Sequence, residues 1–166
     1  MHVEESLGAV EIVRRFEGAI VDVGSGGGAP GIPLAAALPE RAVVLLEANG
    51  RKCAFLREAA REFANVTVVQ GRAEEQETDC FGVALAKALA SPPVAAEWCL
   101  PLVAPGGAAV LFVGPRADAD VVSRVSARVG GGPVEELRGL FVVPKLEATP
   151  SGFPRRPGVA RKRPLA

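Results

Sequence analysis

The chain has 166 residues, 49% hydrophobic and 23% charged, the make-up of one ordinary globular domain with a real core. Its formal net charge is zero, so any signal for a nucleic-acid or membrane partner must come from local clustering. No apolar run approaches the roughly 20 residues that span a bilayer, and no secretory leader is visible. Cys53, Cys80 and Cys99 form no CxxC or Cys/His cluster, so neither a disulfide framework nor a zinc site is suggested. The expectation is a cytoplasmic protein without bound metal or membrane contact.

The apolar periodicity predicts a helix over Val3–Arg15, then a buried strand over Ala19–Val23 and a glycine-rich turn at Gly24–Gly28. Pro30 and Pro33 fall where a helix to about Leu38 begins, and Pro is tolerated in a first turn because its missing N–H has no partner there. A strand follows over Ala42–Glu47, a helix over Arg51–Phe63, and strands over Val66–Val69 and Phe81–Ala86. A helix over Val94–Val103 is interrupted by Pro101; the turn Pro105-Gly106-Gly107 introduces a strand over Ala108–Val113; a helix runs over Ala117–Val129. Val134–Leu137 and Leu140–Val143 read as a closing antiparallel pair, and the chain beyond Pro144 as an extended basic tail. Strands alternating with helices across short connections predict an α/β fold, a mostly parallel sheet with helices on both faces. Two units are expected: a catalytic domain over 1–146 and a tail over 147–166 packed on or near its site.

The run Ile20-Val-Asp-Val-Gly-Ser-Gly-Gly-Gly28 sits after a strand and before a helix. A turn there needs positive φ and close backbone approach, which Gly supplies, and ligands of doubly wound sheets bind at such strand ends. A glycine turn alone also reads as a flexible loop. Asp22 sharpens it: a carboxylate there would repel a pyrophosphate and suits a cationic ligand, and no Lys-Ser/Thr follows the glycines as in a P-loop. S-adenosylmethionine carries an ammonium and a sulfonium and no phosphate. Glu47 ends the second strand at roughly the 20-residue spacing where an acid holds ribose hydroxyls; a solvated strand end is the alternative. Asp22, Gly24, Ser25, Gly26, Gly28 and Glu47 are therefore candidate cofactor residues.

The segment Asp22-Val-Gly-Ser-Gly-Gly-Gly-Ala-Pro-Gly-Ile-Pro-Leu-Ala35 resembles the signature of the bacterial 16S ribosomal RNA guanine-N7 methyltransferases, the RsmG or glucose-inhibited division protein B family. Leu45–Leu56, Asn65–Glu75, the C-terminal run Phe153–Leu165 and the stretch His2-Val-Glu-Glu-Ser-Leu7, similar to His-x-x-Asp-Ser-Leu, fit in order. The resemblance implies a Rossmann-like class I S-adenosylmethionine-dependent methyltransferase whose cofactor contacts Gly24, Ala29, Ala73 and Glu74, with Glu47 on the ribose. Lys87 falls where the family carries Arg near cofactor and substrate. Ala29 stands where a larger apolar residue is usual, and Val113 where Lys is common. The family has a helical segment ahead of the His2–Leu7 stretch, so the resemblance implies a member shortened at its N-terminus.

Guanine N7 carries a lone pair and needs no deprotonation, so no general base is expected; Lys87 is a candidate contact to substrate or cofactor. Arg155, Arg156, Arg161, Lys162 and Arg163 lie in a segment without acidic residues and are the candidate RNA contacts; a solvated tail is the plain alternative. The expected partner is 16S ribosomal RNA or the small ribosomal subunit, bound by a monomer. Competing readings are a small-molecule methyltransferase on the same fold, a cofactor-binding homologue without activity and, further off, a nicotinamide oxidoreductase.

Overall fold

The computed structural model describes residues 2–166, His2 by its backbone alone. In chain order the strands are β1 (Ile20–Val23), β2 (Val43–Glu47), β3 (Val66–Gln70), β4 (Phe81–Lys87), β5 (Val103–Phe112), β6 (Glu135–Leu137) and β7 (Leu140–Pro144). The helices are α1 (His2–Leu7), α2 (Val10–Val13), α3 (Gly31–Ala37), α4 (Gly50–Ala59), α5 (Pro92–Cys99), α6 (Ala119–Arg128) and α7 (Val159–Lys162). The strands form one seven-stranded sheet in the order β3-β2-β1-β4-β5-β7-β6. The pairs from β3 to β5 are parallel, and β7 joins β5 and β6 antiparallel.

Strand residues alternate between two cores, which is why the strands read as nearly continuous apolar runs. Ile20, Leu45, Val83, Leu85 and Val110 pack with α2, α3 and α4 on one face. Val21, Val23, Ala84, Ala86 and Leu111 pack with α5 and α6 on the other. Two helices start at side-chain caps: Asn49 Oδ1 accepts from the Arg51 and Lys52 amides, and Asp118 Oδ1 from those of Asp120 and Val121. The strand order reverses between β1 and β4. Their neighbouring carboxyl ends open the crevice where doubly wound sheets bind ligands.

The larger departures from the sequence reading have local physical causes. The helix expected over Val3–Arg15 breaks at Gly8, a poor helix former, and leaves Leu7 44% exposed while Val10, Ile12 and Val13 are buried. The helix expected to reach Phe63 ends at Ala59, and the one expected over Val94–Val103 ends at Cys99 in a 3₁₀ turn, Leu100–Leu102, centred on Pro101. The turn Pro105-Gly106-Gly107 lies inside β5, whose pairing with β4 shifts register between Phe81 and Val83.

The C-terminal segment is not extended throughout. Leu146 and Glu147 donate to the Gly130 carbonyl, α7 forms, and Ala160 enters the α5–α6 core at 1% exposure. Lys145 anchors its start. Its buried ammonium donates to the Leu100 and Val103 carbonyls, both at 2.7 Å, and to Asp79 Oδ1 and Thr149 Oγ1, both at 2.9 Å. Among the described residues, no helix is long and apolar enough to cross a membrane.

Candidate functional site

The β1–α3 turn is built by its backbone. Gly24 and Gly28 hold φ of +69° and +97°, in the left-handed region that L side chains rarely adopt. A Cβ at Gly24 would also meet Leu89 Cδ1 at 2.5 Å, and one at Gly28 would meet Ile32 Cδ1 at 2.6 Å. The Gly24 and Ser25 amides both donate to the Leu46 carbonyl, which ties the turn to the end of β2.

Glu47 organises the floor beside this turn. It is 8% exposed. Its Oε1 accepts from the Gly26 amide at 3.0 Å and its Oε2 from the Asn49 amide at 2.8 Å. Each oxygen has taken one backbone N–H and retains acceptor capacity for a further donor. The same carboxylate therefore shapes the glycine turn and can receive a pair of hydroxyls.

Asp22 sits elsewhere than its place in the motif suggests. It is 1% exposed, and its Oδ2 accepts from the Gly31 amide at 3.0 Å, the first residue of α3. Ser25, also buried, donates through Oγ to the Asp22 carbonyl. Burial pushes the Asp22 carboxyl up to about 7, against the opposing pull of the Gly31 N–H. Asp22 thus shapes the turn from beneath. An unfolded aspartate loses its proton near 3.8, the folded one near 7. This group's contribution to stability is therefore complete below the lower value and is lost as pH rises through the upper one. Asn keeps an acceptor for Gly31 and cannot ionise. Asp22→Asn is expected to flatten the fall of stability between those two pH values, read by urea titration across pH. An unchanged slope would mean that Asp22 is ionised in the fold.

A cleft of about 410 Å³ opens over this floor. Gly24 bounds it from β1, and Leu46, Glu47 and Ala48 from the end of β2. Gly71–Glu74 contribute after β3, Ala88 and Leu89 after β4, and Trp98 from α5. Gly158 and Arg161 of the C-terminal segment and Lys52 of α4 complete it. Of the residues singled out for the cofactor, Gly24, Glu47, Ala73 and Glu74 line this cleft, while Asp22, Ser25, Gly26, Gly28, Ala29 and Lys87 are not among its lining. Gly26 acts on it through Glu47. Trp98, Leu89, Lys52 and Gly158 were not singled out in the sequence, where Trp98 fell only within the predicted helix Val94–Val103.

Lys87, at the end of β4, bounds a second cleft of about 520 Å³ with Glu5, Phe112, Val113, Arg138 and Gly139. Its ammonium pairs with Glu5 at 2.5 Å and lies 5.8 Å from the Phe112 ring centroid. Ala88 lines both clefts, so the two meet at the end of β4. Glu5 and Arg138 carried no signal in the sequence, because α1 and the β6–β7 hairpin converge on Lys87 only in three dimensions.

The five basic tail residues divide. Arg155 forks onto Glu97, Nε to Oε2 at 2.9 Å and Nη2 to Oε1 at 2.5 Å, with the Glu97 side chain 3% exposed. Arg161 lies over the Trp98 ring at 5.3 Å and donates to the Leu89 carbonyl. Arg156, Arg161, Lys162 and Arg163 are all exposed, Arg161 with its guanidinium on Trp98. Of the thiols, Cys53 and Cys99 are buried and Cys80 is exposed. Burial pushes the Cys99 thiol well above its ordinary range. Among the described residues, no group of three or more His, Cys, Asp or Glu could hold a metal ion.

Solved structures share this architecture. M. jannaschii TYW2, solved in complex with AdoMet, superposes with a TM-score of 0.68 at 16% identity, over 86% of this chain and 72% of that one. The CurJ carbon methyltransferase superposes with a TM-score of 0.67 at 13% identity, over 89% and 54%. These likenesses establish the fold, a Rossmann-like α/β architecture. In sequence, the "Ribosomal RNA small subunit methyltransferase G" of Rubrobacter xylanophilus is 40% identical over 173 residues, 91% of this chain and 66% of that protein. The protein of the same name from Pelotomaculum thermopropionicum is 36% identical over 184 residues, 99% of this chain and 77% of that one. The chain thus spans 66% of the first relative's length and 77% of the second's. The family model GidB, rRNA small subunit methyltransferase G, matches residues 1–128, and with these relatives it shows that the chain belongs to the GidB family of small-subunit rRNA methyltransferases.

Proposed function

We propose that the chain is an S-adenosylmethionine-dependent methyltransferase that methylates N7 of a guanine in 16S ribosomal RNA. The carrying observation is Glu47 at the carboxyl end of β2, fixed by two backbone N–H groups on the floor of a cleft of about 410 Å³. That volume lies within the usual range of small-molecule sites, about 300–1,000 Å³. The residues present fit the cofactor: a carboxylate for the ribose hydroxyls, Ala73 and Glu74 for the adenine edge, and Gly24, without a Cβ, where the chain must approach closely.

Bound there, S-adenosylmethionine supplies a methyl group activated on a sulfonium. The protein's own work is then alignment, which can supply a large part of a barrier reduction. Glu47 and the glycine turn fix the adenosine half. Ala88 lines both clefts and marks where the first meets the second, where an unstacked guanine would enter. Lys87, steered by Glu5, presents a cation there for the base or an adjacent phosphate. N7 already holds its lone pair, so no side chain need remove a proton. Arg156, Lys162 and Arg163 serve as the phosphate contacts of the tail. The protein works as a monomer in the cytoplasm, with the small subunit or its RNA as partner.

The test is transfer of labelled methyl from S-adenosylmethionine to 16S RNA, to small-subunit particles and to large-subunit RNA. Label confined to the small-subunit substrates is expected. Cofactor binding with no transfer to any ribosomal RNA would contradict the substrate assignment.

A further inference from the structure

The C-terminal segment reads in sequence as an RNA-binding arm, yet its contacts turn inward. The Gly158 amide donates to Glu74 Oε2 at 2.9 Å, so α7 meets the cleft at its Gly71–Glu74 wall, beyond Glu47. Ala160 is buried in the core, and Arg155 is neutralised on Glu97. Arg155 Nη2 also donates to the Arg163 carbonyl at 3.0 Å, so both ends of α7 are held and Arg161 is delivered to the cleft. Its guanidinium rests over Trp98 at 5.3 Å, and its Nη2 donates to the Leu89 carbonyl at 3.2 Å. A planar cation held on an aromatic ring offers a flat surface to a second π system, which a phosphate contact does not require.

We propose that Arg161 is a cofactor-binding residue: seated on Trp98, its guanidinium closes the cleft against the adenosine half of S-adenosylmethionine. The C-terminal segment then forms the fourth wall of the cofactor site, and Arg161 leaves the set of RNA contacts. The inference rests on the reading of the cleft as the S-adenosylmethionine site.

Trp98 is the chain's one tryptophan and lines the cleft, so its fluorescence reports occupancy directly. The full chain is titrated with S-adenosylhomocysteine by Trp98 fluorescence, with calorimetry in parallel, and with a 16S RNA fragment across salt concentrations. Arg161→Ala is expected to raise the Kd for S-adenosylhomocysteine about ten-fold. Arg161→Lys recovers little of this, because Lys lacks the planar fork. RNA affinity and its salt slope stay as in the wild type. Arg156→Ala combined with Lys162→Ala does the reverse, weakening RNA binding and flattening its salt slope with an unchanged cofactor constant. Wild-type binding with an unchanged Kd in Arg161→Ala overturns the inference alone, and a loss confined to RNA returns Arg161 to the RNA surface. No binding by the wild-type chain overturns the reading of the cleft and this inference with it.

Discussion

Glu47→Gln is expected to raise the Kd for S-adenosylmethionine about 100-fold, a loss of about 3 kcal/mol. The carboxylate accepts the Gly26 amide on one oxygen and the Asn49 amide on the other. Gln is nearly isosteric but has one acceptor oxygen, and its NH₂ group meets a backbone N–H that it cannot pair with. Either the Gly26 or the Asn49 contact is lost, and with it one of the two hydroxyl acceptors. Hydrogen bonds to a charged group contribute about 1.5–3 kcal/mol each. The fold depends much less on these contacts than the site does, so unfolding should change by about 1 kcal/mol. Calorimetry on both proteins measures the ratio. A change below about five-fold, roughly 1 kcal/mol, would remove Glu47 from the cofactor site.

Lys145→Met is expected to cost about 3 kcal/mol of stability and to lower the melting temperature by roughly 10 °C. The ammonium is 1% exposed and satisfies the Leu100 and Val103 carbonyls. Met leaves both acceptors buried without a donor, at about 1–3 kcal/mol each. Asp79 loses its partner as well. Burial pushes the Asp79 carboxyl up, but the Lys145 and Thr149 hydrogen bonds outweigh it and hold the pKa below the ordinary range. Since the Asp79 side chain is 26% exposed, it can regain water, which limits its share of the loss. The substitution also deletes the Lys145 bond to Thr149 Oγ1, which loosens the start of the segment that carries Gly158 and Arg161, although Thr149 keeps its own bonds to Asp79. Cofactor affinity should fall with stability. Urea unfolding measures the first and calorimetry the second; a stability loss under 1 kcal/mol would show that the latch contributes little.

The sheet was legible because its strands are short apolar runs between glycine and proline turns, a pattern that burial on both faces imposes directly. Ile20–Val23 and Val43–Glu47 fall within their predicted spans for this reason. The position of Glu47 beside the glycine turn was legible through its spacing from the glycines, a local property of one β-α-β unit. Asp22 was misplaced relative to the cleft because a strand's two faces cannot be told apart when both are buried; only the Asp22–Gly31 hydrogen bond shows which side the carboxylate takes.

What escaped the sequence joins residues far apart in the chain. Lys145 reaches Asp79, Arg155 reaches Glu97 and Gly158 reaches Glu74, so a tail rich in Pro, Gly and Arg reads as solvated although it is pinned at three places. Charge counting could not separate Arg155 and Arg161 from Arg156, because the Arg155–Glu97 ion pair and the seat of Arg161 over Trp98 are what distinguish them. The second cleft was hidden for the same reason. Glu5 and Lys87 are 82 residues apart and meet only because α1 lies across the end of β4.

The most direct measurement is the identity of the methylated atom. After reaction of 16S RNA and small-subunit particles with the chain and S-adenosylmethionine, the RNA is treated with borohydride and aniline, which cleave at N7-methylguanine, and the break is mapped by primer extension. One new cleavage site at a guanine, absent without cofactor and strongly reduced with Glu47→Gln, is the predicted result. Methyl incorporation without a new cleavage site would place the group on another atom and contradict the account of N7 transfer without a general base.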